Sequence, residues 1–254
     1  RAKCARGLAR DLRSPVRTIR RSPGFATLAA GTLALGIGAT TAVFSLVNGV
    51  LLKPLPYRDA GALVSLKHTT STTVGPPVAM TLSMLVTYSK ENRSFQDVGV
   101  WSRGEENVTD GVIPEVVTTL NVSAGTFRAL GVRPVLGRWF SDEDHTPGSG
   151  ETVILTHGYW QRRFGRDSSI IGRQVSIDSR PRTVVGVMPA SFRFLDETPE
   201  LILPVRIDPA KITLGGFNFE GIARLADGVT LEPAGADIVR MLPIWGEAGA
   251  PFPP

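Results

Sequence analysis

Three histidines, one cysteine and one acidic run are the side chains here that offer chemistry, and their spacing excludes most of it. His68, His145 and His157 are scattered, with no metal-ligand spacing. Cys4 is alone, so the chain can form no internal disulfide and no thiolate zinc site. Asp142-Glu143-Asp144-His145 is the single acidic cluster, and its oxygens would suit a hard cation. It lacks the alternating ligands and the glycine of an EF-hand loop, so a solvated turn is the expected reading. No Gly-x-Ser-x-Gly elbow and no Walker A phosphate loop occurs. No catalytic, cofactor-binding or metal-ligating residue is therefore assigned. The chain is not expected to be an enzyme or to need a cofactor. If ATP drives it, another chain must hydrolyse the ATP.

What positions these side chains begins with charge. The net charge of +5 over 254 residues is unevenly spread. Residues 1–21 hold 8 of the 28 basic side chains and 1 of the 23 acidic ones, a net +7. The remainder, 20 basic against 22 acidic, is −2. A nucleic-acid surface would need basic residues on the folded domain, so no nucleic-acid partner is expected. From Ser22 to Leu52 there is no charge at all, and Arg20-Arg21 and Lys53 flank the run. About 20 helical residues span the roughly 30 Å hydrocarbon core, so residues 22–53 read as a transmembrane helix. Pro54 and Pro56 are expected to stop it. A cleaved signal peptide would have an apolar core of about 7–15 residues, shorter than this run. The basic flank puts residues 1–21 in the cytoplasm and the rest outside. Leu8, Leu12 and Ile19 fit an amphipathic juxtamembrane segment. Small residues at 26, 30, 34, 38 and 42 would let another helix approach closely.

Beyond the membrane run, residues 54–242 read as one extracytoplasmic α+β domain of two subdomains, and 243–254 as a disordered or truncated tail. Strands are expected at 62–67, 95–101, 112–122, 152–155, 201–204 and 222–225, with a hairpin of 174–177 and 183–187 around residues 178–181. Helices are expected at 80–92, at 158–164, from a Ser123 cap to Gly131, and from Thr230 to Met241. Residues 69–77 form a polar loop.

A series of motifs then carries a family resemblance. It opens with Ser22-Pro23-Gly24-Phe25, Leu35-Gly36-Ile37-Gly38-Ala39-Thr40-Thr41-Ala42 and Leu51-Leu52-Lys53-Pro54-Leu55-Pro56-Tyr57. It continues through Thr126-Phe127-Arg128-Ala129-Leu130-Gly131-Val132, Gly137-Arg138-Trp139-Phe140 and Trp160-Gln161-Arg162-Arg163-Phe164-Gly165. It closes with Val184-Val185-Gly186-Val187-Met188-Pro189 and Ala223-Arg224-Leu225-Ala226-Asp227-Gly228. In this order they resemble MacB/FtsX-type ABC transporter permeases, in the first helix and the MacB-like periplasmic core domain. The bulky Phe127, Trp139, Trp160 and Phe164 suit a core or a subdomain joint. The resemblance implies a non-enzymatic permease subunit in a bacterial inner membrane. Its partners would be an ABC ATPase subunit, a second permease copy in a homodimer or pair, and the membrane itself. ATP-driven motion would reshape outer domains that handle peptides, lipids, lipoproteins or drugs. Family permeases return through three more helices. None follows Met241 here, so the chain is expected to be a fragment, a truncated product or a stand-alone remnant. The alternative is a membrane-tethered binding or sensor module without transport.

Overall fold

Small and apolar side chains with no charge make α1, Pro23–Val47, a helix that is long and apolar enough to cross a bilayer. Its 25 residues rise about 37 Å, against a hydrocarbon core of roughly 30 Å. Pro23 at the first position costs no hydrogen bond. The hydroxyls of Thr27, Thr32 and Thr40 donate back to the carbonyls of Pro23, Leu28 and Gly36, which satisfies them without water. This computed structural model describes residues 23–47, 57–69, 77–109 and 114–248. The basic segment, Cys4, the two prolines after the membrane run, most of the polar loop and residues 249–254 lie outside the described residues.

Residues 55–254 form one compact unit, separate from residues 1–54. In it β1 (Leu63–Leu66) precedes α2 (Leu82–Glu91), whose first turn is capped by the Thr81 hydroxyl accepting the Met84 N–H at 3.0 Å. Then come β2 (Phe95–Val108), β3 (Glu115–Val122), α3 (Ala124–Leu130) and β4 (Leu136–Gly137). The second half holds β5 (Thr152–Leu155), α4 (His157–Phe164), β6 (Gln174–Ile177), β7 (Arg180–Val187), β8 (Leu201–Pro204), β9 (Glu220–Leu225) and α5 (Leu231–Ala248). Strand order is β1-β9-β2-β3-β8-β5-β7-β4, with β6 pairing β7 and touching the end of β2. Only β3–β8 and β5–β7 run parallel among the described pairs. This is the mixed α+β architecture expected.

Within it one continuous sheet runs through the domain, with β3 and β8 joined edge to edge. Three expectations need correction. Strand β2 runs on past Trp101 to Val108, since residues 101–108 all pair with β3. The hairpin turn is only Asp178-Ser179, both at positive φ (49° and 61°), and Pro181 already lies in β7 opposite Ser176. Two positive-φ residues give the turn whose twist matches its strands. Helix α5 passes Met241 and Pro243 to Ala248. Proline removes a backbone donor there, but Trp245 donates to the Ser83 hydroxyl at 2.8 Å and packs, with Leu242, on the cluster around Tyr88 and Met241. The tail expected from residue 243 is helical to 248.

Candidate functional site

The sheet brings three segments, β9, α3 and the 193–195 loop, together at the first described residues of this unit, 57–59. Tyr57 is buried at 8% exposure. Its hydroxyl donates to the Arg193 carbonyl and accepts the Leu195 N–H at 3.3 Å. Burial raises its pKa against the lowering effect of the Leu195 N–H, which keeps the phenol protonated and able to donate. Next to it, Arg224 projects from β9 with 8% exposure. Its guanidinium donates to three carbonyls: Ala129 at 2.6 Å, Arg58 at 2.7 Å and Asp59 at 3.1 Å. Among the described residues its partners are all carbonyls, with no carboxylate. One of them, Ala129, belongs to the last turn of α3, where unpaired carbonyls and the helix dipole favour a cation. Asp59 itself turns through the left-handed region, φ 45°.

Helix α3 is fixed by close approach to β2. A Cβ on Gly125 would lie 1.8 Å from the Val98 carbonyl oxygen, and one on Gly99 2.3 Å from the Thr126 nitrogen. Only glycine at both positions lets the backbones meet. The Ser123 hydroxyl, expected to cap α3, instead accepts the Val100 N–H at 2.9 Å, and Thr126 donates to the Val100 carbonyl at 2.8 Å. The two hydroxyls stitch the helix to the strand. At the far end Gly131, φ 67°, ends the helix as expected. Phe127 stacks on Trp139 with ring centroids 3.9 Å apart and lies 6.5 Å from Phe192. Trp160 and Phe164 belong to a different apolar cluster, under α4. The large aromatics thus divide between two clusters.

This arrangement holds no reacting group. What it can do is position: buried cation, phenol, helix end and aromatic stack all bear on the segment through which the chain enters the domain. The acidic run is elsewhere and is only half solvated. Asp144 is buried and paired with Arg138 at 2.6 Å, while the Ser141 N–H and hydroxyl donate to it at 2.7 and 3.0 Å. Burial pushes its carboxyl up, but Arg138 and Ser141 outweigh this and hold it at about 2. The expected solvated turn is therefore corrected at Asp144, because Arg138 recruits that carboxylate inward. The histidines are not brought together. His68 meets the Tyr88 hydroxyl at 2.8 Å, His145 Nδ1 meets the Val205 carbonyl at 2.9 Å, and His157 packs edge-on against Trp160. Among the described residues no group of three or more His, Cys, Asp or Glu could hold a metal.

A second feature is an apolar groove of about 590 Å³ between β1 and α5. Leu66, Met84, Ile238, Leu242 and Trp245 line it, with His68 at one end. Leu231 and Val239 stand exposed on the α5 side.

Sequence reasoning missed Arg224. The signal was present: an arginine between Gly221-Ile222-Ala223 and Leu225 is a charge in a strand buried on both faces. Tyr57 ends the family motif of residues 51–57, and nothing local in that motif marks it for a role.

A family model, the MacB-like periplasmic core domain, matches residues 26–241. No curated protein matches the sequence. Solved structures do. The periplasmic region of MacB from Actinobacillus actinomycetemcomitans aligns at 19% identity and a TM-score of 0.55, covering 72% of this chain and 84% of that one. The extracellular domain of the noncanonic ABC-type transporter YknZ from Gram-positive bacteria gives 14% and 0.53, covering 73% and 95%. A domain of a protein described as a permease from Porphyromonas gingivalis gives 15% and 0.57, covering 74% and 86%. At these identities the structures establish the fold.

Proposed function

We propose that this chain, which belongs to the MacB-like periplasmic core domain family, is the N-terminal part of an ABC-type permease and carries ATP-driven motion from the membrane to its outer domain. The family and the apolar α1 make it a membrane protein with an extracytoplasmic domain. The finer reading places residues 1–21 in the cytoplasm and the outer domain beyond a bacterial inner membrane, on the strength of the basic flank. The membrane unit would be residues 22–53 and the outer domain would start at 54. Hydrolysis would belong to a separate ATPase subunit or domain, and two permease copies would pair.

The observation that supports transmission is the clamp on residues 57–59. Motion can pass from helix to domain only if the connecting chain is fixed at its far end. Arg224 and Tyr57 fix it to β9, to α3 and to the 193–195 loop. Pro54 and Pro56, in the preceding stretch, restrict φ on the way in. A second reading, a tethered binding or sensor module, is favoured by the groove of about 590 Å³, which falls in the size range of small-ligand sites.

The test is reconstitution of a full permease carrying this segment, with its ATPase. Replacing Pro54 and Pro56 by glycine is expected to lower transport while ATP hydrolysis and expression persist. Normal transport by that variant would make the connection a passive tether. Failure of any ATPase to co-purify with the intact permease would favour the sensor reading. An alkaline phosphatase fusion after Pro209 should be active, and a well-expressed but silent fusion would reverse the topology.

A further inference from the structure

Residues 192–199 cross the face of the sheet between β7 and β8. Phe192 and Phe194 anchor them in the core, and Phe194 meets Trp101 edge to face at 5.0 Å. Between these anchors and β8 the chain makes a tight turn. Glu197 N–H donates to the Phe194 carbonyl at 2.8 Å, and Leu195 sits at φ 51°, a conformation uncommon for a residue with a γ-branch. The turn is held from outside at two points. The Tyr57 hydroxyl receives the Leu195 N–H, and the Glu197 carboxylate pairs with Arg103 of β2.

Three clefts border this turn. A cleft of about 390 Å³ lies on one side, lined by β1, β9, Trp101, Arg103 and residues 195–197. Another of about 370 Å³ lies on the other side, lined by residues 103–105 of β2, 118–120 of β3 and 197–199. Arg103 and Glu197 line both. Their ion pair is the partition between the two. Residues 192–194 and 197–199 also wall a third cleft, of about 300 Å³, towards α4. The turn is thus bordered on several sides by clefts open at the surface, which leave it room to move. Arg103 is 71% exposed, and ion pairs so exposed contribute little, so the partition is cheap to open.

We propose that residues 194–198 are a latch: Tyr57 holds one side, Arg103–Glu197 bars the other, and its release joins the two clefts into one groove running across β1, β9, β2 and β3. The purpose of the latch rests on the permease reading, because Tyr57 belongs to the segment that would bring motion in from the membrane. The mechanics do not. A pull on residues 57–59 acts first on the Leu195 N–H and the Arg193 carbonyl, and the turn that carries Glu197 follows.

The test is amide hydrogen exchange of the full chain in detergent micelles, without ATPase or nucleotide. Tyr57→Phe keeps the ring packed and removes the hydroxyl. Arg103→Ala removes the bar. Tyr57→Phe should speed exchange across residues 195–198 by up to about tenfold and Arg103→Ala by a few-fold at most, the scales of losing one hydrogen bond and one exposed ion pair, and both should leave β5 and β7 unchanged. In a Cys4→Ser background, oxidised Arg103→Cys/Glu197→Cys should slow the same amides. Unchanged exchange in both single variants would show that Phe192 and Phe194 alone hold the turn, and the latch is then wrong. A latch that fails this test leaves the permease reading intact. A latch that passes, in a permease that binds no ATPase, would leave the device standing and remove its proposed use.

Discussion

The joint at residues 57–59 and the corner where the β6–β7 hairpin meets the end of β2 solve the same problem with opposite chemistry. Each ties a segment to the central strands. The joint uses a buried arginine against carbonyls, which cannot titrate, and a phenol that burial keeps protonated. The corner uses exposed carboxyl chemistry: Asp178 accepts the Asn107 N–H and side-chain amide, each at 2.9 Å, while Glu106 shares a hydrogen bond with Asp178. The first connection is built to hold at any ordinary pH. The second depends on where a proton sits. On the proposed function, a domain driven through its lead-in segment would need the first kind there and would tolerate the second at a hairpin tip.

The contrast predicts a large loss at the joint. Arg224→Ala leaves the buried Ala129 carbonyl and the part-buried Arg58 carbonyl without this donor, while Asp59 keeps the Ala62 N–H; orphaned buried groups cost about 1–3 kcal/mol each before relaxation, so a loss of about 3 kcal/mol is expected. For a domain of this size that corresponds to roughly 6–12 °C in melting temperature. A melt within a degree of wild type would mean that water replaces the guanidinium and that the joint is open to solvent. Gly125→Ala comes next. Its methyl would sit 1.8 Å from the Val98 oxygen, so α3 must lift off β2, at about 1–3 kcal/mol. Gly158→Ala, where the added methyl meets nothing within 4 Å, is the control and should be close to neutral. Tyr57→Phe removes two hydrogen bonds but no packing, and about 1 kcal/mol is expected by the same melts. If Tyr57→Phe costs more than Gly125→Ala, the hydroxyl and not the helix contact is the main fastening.

Much of this was legible in the residues themselves. Local patterns gave the elements: the apolar run of α1, Gly131 after α3, and the short apolar runs of β5 and β8. What could not be read is decided by partners distant in sequence. Ser123 looks like a cap from its neighbours, but the Val100 N–H, 23 residues earlier, takes the hydroxyl. Residues 102–106, Ser-Arg-Gly-Glu-Glu, offer no apolar alternation, and become strand because β3 lies beside them. The local pattern ends the last helix at Met241, and burial of the following turn carries it on through Pro243. Asp144 looks solvated until Arg138 draws it in. The joint itself joins residues 57–59 to 129, 193, 195 and 224, separations no local pattern spans.

The smallest expected effect is at the corner, and its sign is the informative part. Partial burial, then the hydrogen bond and charge of Asp178, raise the Glu106 carboxyl to about 7, against the pull of Arg182 and Arg180. Asp178 is held at about 2 by Glu106 and by the Asn107 donors. The two share one proton across the range between, so the values belong to the pair. In the folded chain Glu106 keeps its proton up to about pH 7, whereas its ordinary value is 4.5. Its contribution is therefore complete below about 4.5 and fades as pH rises through 7. Asp178 has the opposite sign: its contribution is present above 3.8 and is lost as pH falls towards 2. Glu106→Gln keeps a donor for Asp178 and cannot ionise. It should match wild type at about pH 4, begin to exceed it as pH rises past 4.5 and melt higher at about pH 8.5, by only about 1 °C because the pair is largely solvated. Exchange of the Asp178 amide, which donates to the Asn107 carbonyl at 2.8 Å, should quicken with pH in wild type beyond the intrinsic rate and not in the variant. The same treatment should leave the Leu195 amide at the joint untouched. If both amides respond alike to pH, the two fastenings are not chemically distinct. If neither does, the Glu106 proton is not what holds the hairpin tip to β2.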